Sequence, residues 1–229
     1  MLLLRPPAAI IPLSPTRSGR DTPILVIAGL YVIIDPDACG SRAPLLVARL
    51  AIEGGARAIQ WRDKRRDKGD QLTDARALAA LCRAHGVAFI ANDHADLALA
   101  CGADGVHLGQ HDLPIAAVRP IVGDGMIIGV STNNVEEARA AQAAGANYVA
   151  VGAIFATASK ETTRTASLDR LRDVKAAVRV PVVAIGGISA ANVAGVVAAG
   201  ADAAAVISAV CAADDPRAAA AELAAAFTR

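Results

Sequence analysis

Aromatic side chains are scarce: 3% of the 229 residues, with one Trp, two Tyr and three Phe. A core so poor in rings has to be filled by Val, Ile, Leu and Ala, and alanine alone supplies about a quarter of the chain. An excess of charge of either sign is also missing, with 23 basic against 22 acidic side chains and a net charge of +1. That balance leaves no basic field to hold a nucleic-acid backbone, and Asp63 and Asp67 interrupt the densest basic run, Arg62 to Lys68. The four cysteines, Cys39, Cys82, Cys101 and Cys211, form no CxxC pair. This speaks for reduced, buried thiols in a cytoplasmic protein and against a disulfide framework. Long apolar runs are absent as well. The longest, Ile24 to Ile34, is too short for a membrane span of about 20 residues. The 19 glycines show no period, which excludes a collagen-like chain. Apolar types at 54% exclude disorder.

Residues 1–22 contain no acid before Asp21, and Pro6 and Pro7 break their apolar start. They read as a flexible extension rather than a secretory signal, leaving residues 23–229 as one catalytic domain. Eight β-branched apolar runs follow: 30–34, 58–61, 87–91, 105–108, 127–130, 148–151, 182–185 and 204–207. None alternates cleanly with polar residues, so each reads as a parallel strand buried on both faces. Between them lie alanine-rich helical stretches at 43–53, 72–85, 135–144, 168–178, 190–199 and 216–227. Ser167 and Ser189 are candidate N-caps, and Gly86, Gly145 and Gly200 stand where helices should end.

The four segments starting at Gly55, Gly102, Gly145 and Gly200 share one design, in which Gly-Ala closes a helix and a strand follows. A double βα unit repeated four times predicts a single closed α/β (βα)8 barrel. An open doubly wound sheet would instead show a glycine-rich turn after its first strand, where this chain has Asp35-Pro36-Asp37.

A barrel of this kind carries its chemistry at the C-terminal ends of the strands. The second strand ends in Gln60-Trp61-Arg62-Asp63-Lys64, whose alternation puts Gln60, Arg62 and Lys64 on one side. Two cations and an amide form either an oxyanion clamp or a solvated loop, and the residues alone do not choose. Asp93 and Asp112 follow the third and fourth strands, as hard-oxygen donors for Mg²⁺ or as helix caps. A zinc site from His94, His107 and His111 lacks metal-site spacing. Ser131 and Thr132 end the fifth strand, while Thr157, Ser159 and Lys160 place two hydroxyls and a cation after the sixth. Gly186-Gly187 ends the seventh strand, and Ile207-Ser208 the eighth. Backbone amides at those two places commonly cradle a phosphate. Two separate anion sites, one of them suited to Mg²⁺, point to departure of a diphosphate.

The segments Gln60–Lys64, Asn92-Asp93, Gly105–Asp112, Gly129–Thr132, Thr157–Lys160 and Ala184–Ile188, in that order, resemble the thiamine phosphate synthase family over residues 29–228. The resemblance implies a TIM barrel that joins hydroxymethylpyrimidine diphosphate to hydroxyethylthiazole phosphate with Mg²⁺, releasing diphosphate. It implies that Gln60, Arg62, Lys64, Asn92, Ser131 and Lys160 bind the pyrimidine diphosphate, with Lys160, Arg62 and Lys64 as the catalytic cations. Asp93 and Asp112 would hold the metal, and Thr157, Ser159, Gly187, Ile207 and Ser208 the thiazole phosphate. Five positions depart from the family pattern: Ser159 for Thr, Ala153 and Ala156 for Pro, Asn133 for His, and Asp63 for Glu. Trp61 and Phe155 are the rings expected beside the substrate.

The partners expected are therefore small molecules, with no nucleic acid and no membrane, and a homo-oligomer stays open. A thiazole phosphate tautomerase or a non-catalytic sensor of thiamine precursors would use the same scaffold. Retention of Arg62, Lys64, Asp93, Asp112 and Lys160 argues against both.

Overall fold

The computed structural model describes residues 26–156 and 167–228. Eight parallel strands close on themselves in sequence order, so the predicted barrel is the fold. They are β1 (Gly29–Ile34), β2 (Ala58–Trp61), β3 (Ala88–Asn92), β4 (Gly105–Leu108), β5 (Ile127–Thr132), β6 (Tyr148–Gly152), β7 (Val182–Ile185) and β8 (Ala203–Val206). Closure comes from β1 pairing with β8, Gly29 beside Ala203 and Val32 beside Val206.

The chain buries two concentric apolar layers because strand side chains alternate. Ile33, Ala58, Ile90, Ala150, Val183 and Ala205 point into the barrel. Val32, Ile59, Phe89, Val106, Val149 and Ala184 point outward, under the helices. Small interior residues let the strands close tightly, and alanine-rich helices approach the sheet at short range. α7 (Leu168–Ala177) buries Leu171 and Val174 on one face and begins at Ser167, whose side chain accepts from the Arg170 amide. Truncating Leu171 to Ala would cost about 2–5 kcal/mol, since no neighbour can fill the void without moving.

The Gly-Ala repeat has a structural cause. Each even strand starts three residues after its glycine, and Gly55, Gly102, Gly145 and Gly200 all have positive φ. The side chain two positions after the glycine then serves the barrel rim. Asp104 accepts from the Phe89 amide, Asn147 from that of Ile128, and Asp202 from that of Val182. A buried strand amide thus gains a partner that water would otherwise supply. Arg57, at the matching place in the first repeat, has no acceptor to offer.

Two helix starts differ from the sequence reading. The helix expected from residue 190 is the shorter α8 (Val193–Ala198), behind Asn192 rather than Ser189. The Asn192 side chain accepts from the Ser189 amide and donates to the Gly187 carbonyl, tying this start to the turn after β7. α3 (Lys68–His85) begins four residues earlier than its apolar period suggested, since Lys68, Gly69 and Asp70 are exposed and add no periodicity. The extension 1–22 lies outside the described residues. All four cysteines are buried and free. No helix among the described residues is long and apolar enough to cross a membrane.

Candidate active site

The C-terminal ends of β2, β3, β4 and β5 bring most of the expected residues to one rim. Gln60 is buried inside the barrel, and its amide donates to the Tyr31 hydroxyl at 2.7 Å. Two residues on, Arg62 reaches Asp35 at the end of β1, an ion pair largely shielded from solvent. Asp35 also accepts from the Asp37 amide at 3.0 Å, capping the short helix α1 (Pro36–Cys39). Lys64, more than half exposed, pairs with Asp93 across the gap to β3. The alternation inferred for this segment holds: Gln60 faces the interior, while Trp61 lies in the outer layer.

Trp61 therefore does not face the rim. It is buried beneath α3, donates its indole N–H to Gln71 at 3.1 Å and carries Arg66 over its ring. Phe155 packs against the same outer layer. The rings that do face the barrel interior are Tyr31 and Tyr148, which sequence reasoning had absorbed into strands as core.

Asp93 and Asp112 come together from adjacent loops, their carboxyl groups within hydrogen-bonding reach of each other. Neither caps a helix. α4 (Ala95–Cys101) starts behind His94 and α5 (Ile115–Val122) behind Pro114. Among the described residues, Asp93 is the one non-glycine residue with positive φ, at 61°. Such a conformation is uncommon for a non-glycine residue and concentrates at functional sites. Its backbone amide is held by the His107 carbonyl at 2.8 Å. Asp112 accepts from the Gly109 amide at 2.6 Å.

Burial pushes the Asp93 carboxyl up, but Lys64 and Asp112 outweigh it and hold it below its ordinary value. Asp112 is raised, by burial and by the neighbouring Asp93 charge. A divalent cation between two hard carboxylates would relieve that repulsion, so the donor set fits Mg²⁺. Zinc fits poorly: His107 spends Nδ1 on Tyr148 and Nε2 on Ser131, both at 2.9 Å. No group of three His, Cys, Asp or Glu suited to a metal occurs among the described residues.

Asn92 ends β3 beside His107 in register. Ser131 is half-buried on β5, whereas Thr132 points the other way and donates to the Ala150 carbonyl. Asn133, a departure from the family pattern, gives its amide to Glu137 at 2.7 Å. Asp63, another departure, accepts from the amides of Arg65 and Arg66 and from the Arg66 side chain, shaping the loop after β2.

Opposite this rim lies the turn after β7. The chain following β6 zips onto it, with Ile154 donating to the Ile185 carbonyl and Phe155 to that of Gly186. A Cβ on Gly187 would sit 2.6 Å from the Ala156 oxygen, and its φ is 65°, so only glycine fits. Ile207 is buried at the end of β8 and precedes the exposed Ser208, which opens α9 (Ser208–Cys211). Thr157, Ser159 and Lys160 lie outside the described residues.

A family model described as thiamine monophosphate synthase matches residues 30–210. The chain belongs to that family. Among its relatives is the thiamine-phosphate synthase of Moorella thermoacetica, 47% identical over 201 residues, covering 87% of this chain and 96% of the relative. A bifunctional thiamine biosynthesis protein of Geobacter sulfurreducens is 44% identical over 211 residues, or 92% of this chain, which spans 42% of that longer protein. Among solved structures, the thiamine phosphate pyrophosphorylase of Pyrococcus furiosus superposes with a TM-score of 0.80 at 38% identity, covering 87% of this chain and 95% of that one. A 3-hexulose-6-phosphate synthase, at 24% identity and TM-score 0.64, shares the fold alone.

Proposed function

We propose that this member of the thiamine monophosphate synthase family joins hydroxymethylpyrimidine diphosphate to hydroxyethylthiazole phosphate, giving thiamine phosphate and diphosphate. The observation that carries this reading is the pairing of Arg62 and Lys64 with carboxylates at one rim, opposite a glycine turn with room for only backbone. The first arrangement suits a polyanion with a metal, and the second suits a phosphate approached by amides.

On this reading Arg62, Lys64 and Lys160 hold the diphosphate as charge grows on it, and Gln60, Asn92 and Ser131 orient the pyrimidine end. The bond between the pyrimidine-methyl carbon and the diphosphate oxygen breaks, and its electron pair leaves with the diphosphate. The thiazole nitrogen then gives its lone pair to that carbon, forming the C–N bond of a thiazolium. Thr157, Ser159, Gly187, Ile207 and Ser208 hold the thiazole phosphate in line for that attack. Asp93 and Asp112 would hold Mg²⁺, which when bound neutralises diphosphate charge.

Two features of the rim support roles beyond simple contact. The Asp35 carboxylate fixes Arg62 before any ligand arrives, so the guanidinium need not be ordered on binding. The Lys64–Asp93 pair leaves Lys64 more than half exposed, within reach of a diphosphate bound at the same rim. The test is incubation of the purified protein with both substrates and Mg²⁺, with thiamine phosphate detected as product. Binding of both substrates without product would instead support a sensor.

A further inference from the structure

A chain of side-chain hydrogen bonds crosses the barrel interior between two residues proposed to bind the pyrimidine diphosphate. Gln60 on β2 donates to the Tyr31 hydroxyl on β1 at 2.7 Å, which meets the Tyr148 hydroxyl on β6 at 3.1 Å. Tyr148 meets His107 Nδ1 on β4 at 2.9 Å, and His107 Nε2 meets the Ser131 hydroxyl on β5 at 2.9 Å. The path closes through the barrel, not along the chain: Tyr31 and Tyr148 are 117 residues apart.

The packing has been shaped around it. Tyr148 stands beside Gly129 in the strand register, and Gly129 stands beside His107. A Cβ on Gly129 would fall 2.0 Å from the Tyr148 ring. The absent side chain lets that ring lie across β5 and stack on His107, with centroids 5.5 Å apart and planes 22° apart. Tyr31 meets Tyr148 edge-on. An apolar barrel of this size could be filled by Val and Ile alone, and buried hydroxyls add desolvation cost, so their retention asks for a reason.

Proton counting supplies one. Burial raises both tyrosine hydroxyls, so each stays neutral and has one proton to donate. Tyr31 accepts from the Gln60 amide, and the direction in which every hydrogen of the chain finds an acceptor has Tyr31 giving its own proton to Tyr148. In that direction Tyr148 gives its proton to His107 Nδ1, and a neutral imidazole then carries its hydrogen on Nε2, aimed at the Ser131 oxygen. Ser131 then accepts from the protein and has its hydroxyl hydrogen left for the rim. The opposite direction would leave the Tyr31 proton without an acceptor in this chain of bonds.

We propose that Tyr148 and His107 are positioning residues that fix Ser131 as a hydrogen-bond donor toward an acceptor atom of the pyrimidine diphosphate. The inference rests on the reading that Ser131 contacts that substrate. Neither ring needs to touch it, and the tautomer of one buried histidine carries the information from Gln60 to Ser131.

The test is a double-mutant cycle of Tyr148→Phe and Ser131→Ala in the full-length protein, read as kcat/KM for each substrate. Tyr148→Phe keeps the stacked ring and removes one hydroxyl. Each single change should lower kcat/KM for the pyrimidine diphosphate by roughly tenfold, the scale of one oriented hydrogen bond. The KM for the thiazole phosphate should stay unchanged. The double variant should be no worse than Ser131→Ala alone. An impaired Ser131→Ala with a fully active Tyr148→Phe, or losses that multiply, overturns the relay but leaves the site reading intact. A fully active Ser131→Ala overturns the site reading and the relay with it.

Should Tyr148→Phe not fold, His107→Asn carries the same test. Its amide can still meet Tyr148 but is too short to reach Ser131. It should reproduce the Ser131→Ala loss, and full activity would overturn the proposal.

Discussion

The Lys64 ammonium lies against the Asp93 carboxylate, joining a proposed diphosphate-binding cation to a proposed metal-binding anion across the gap between β2 and β3. Each member keeps the other in place at a rim where unpaired charges of either sign would attract solvent ions.

Asp93→Asn should separate chemistry from stability. Asparagine tolerates the positive φ of this position at least as well as aspartate, so the backbone keeps its turn. Lys64 is exposed enough to regain water when its partner loses charge. Thermal unfolding should shift by less than about 4 °C, an effect under 1 kcal/mol. Turnover should fall by roughly a hundredfold or more, the scale of losing one charge-stabilising group. A large drop in melting temperature would mean that Asp93 mainly holds the fold.

Asp35 was not singled out from the sequence, yet it fixes Arg62. Asp35→Asn keeps an oxygen for the Asp37 amide, so α1 retains its cap, while the charge facing Arg62 is lost. The expected result is a several-fold rise in KM for the pyrimidine diphosphate with little change for the thiazole phosphate, measured by steady-state kinetics. Asp35→Ala should add a stability loss of about 1 kcal/mol from the missing cap, visible in denaturant titration.

Gly187→Ala tests the opposite side. The new Cβ meets the Ala156 carbonyl at 2.6 Å and the Phe155 side chain at 2.7 Å, in a backbone region that alanine resists. The chain after β6 must move away from the turn after β7. Thiazole phosphate should bind at least roughly tenfold more weakly by calorimetry, from one or more lost backbone hydrogen bonds, with the pyrimidine diphosphate unaffected. Equal weakening for both would contradict separate anion sites.

Asp63 gives a pH signature. Burial raises its carboxyl, but the amides of Arg65 and Arg66 and the Arg66 guanidinium outweigh that and hold it below its ordinary value. Its folded value therefore lies under its unfolded value of about 4. The stability it contributes is fully present above that unfolded value and is lost as pH falls through the folded one. Asp63→Asn should be less stable than the parent at neutral pH, with the gap closing in acid. A gap that persists unchanged at low pH would mean the carboxylate charge plays no part.

Much of this was legible from residue order. Buried β-branched runs located every strand because a parallel barrel hides both faces, and the Gly-Ala repeat marked the even ones. What escaped depends on contacts between distant residues. The strand containing Tyr148 was visible, but not that its hydroxyl would meet Tyr31 and His107 across the barrel. Trp61 was expected beside the substrate although its own register puts it opposite Gln60, in the outer layer. Ser189 resembled a cap, but the helix starts behind Asn192, whose side chain makes no cap bond and instead joins the Ser189 amide to the Gly187 carbonyl. α1 and α9, four residues each, are too short for a periodic signal.

The most direct test of the account is a coupled assay with both substrates, run with Mg²⁺ and again after chelation. Thiamine phosphate and diphosphate should form in equal amounts with the metal and fall to background without it. Absence of product with Mg²⁺ present, or isomer conversion of the thiazole phosphate that ignores both the metal and the pyrimidine diphosphate, would contradict it.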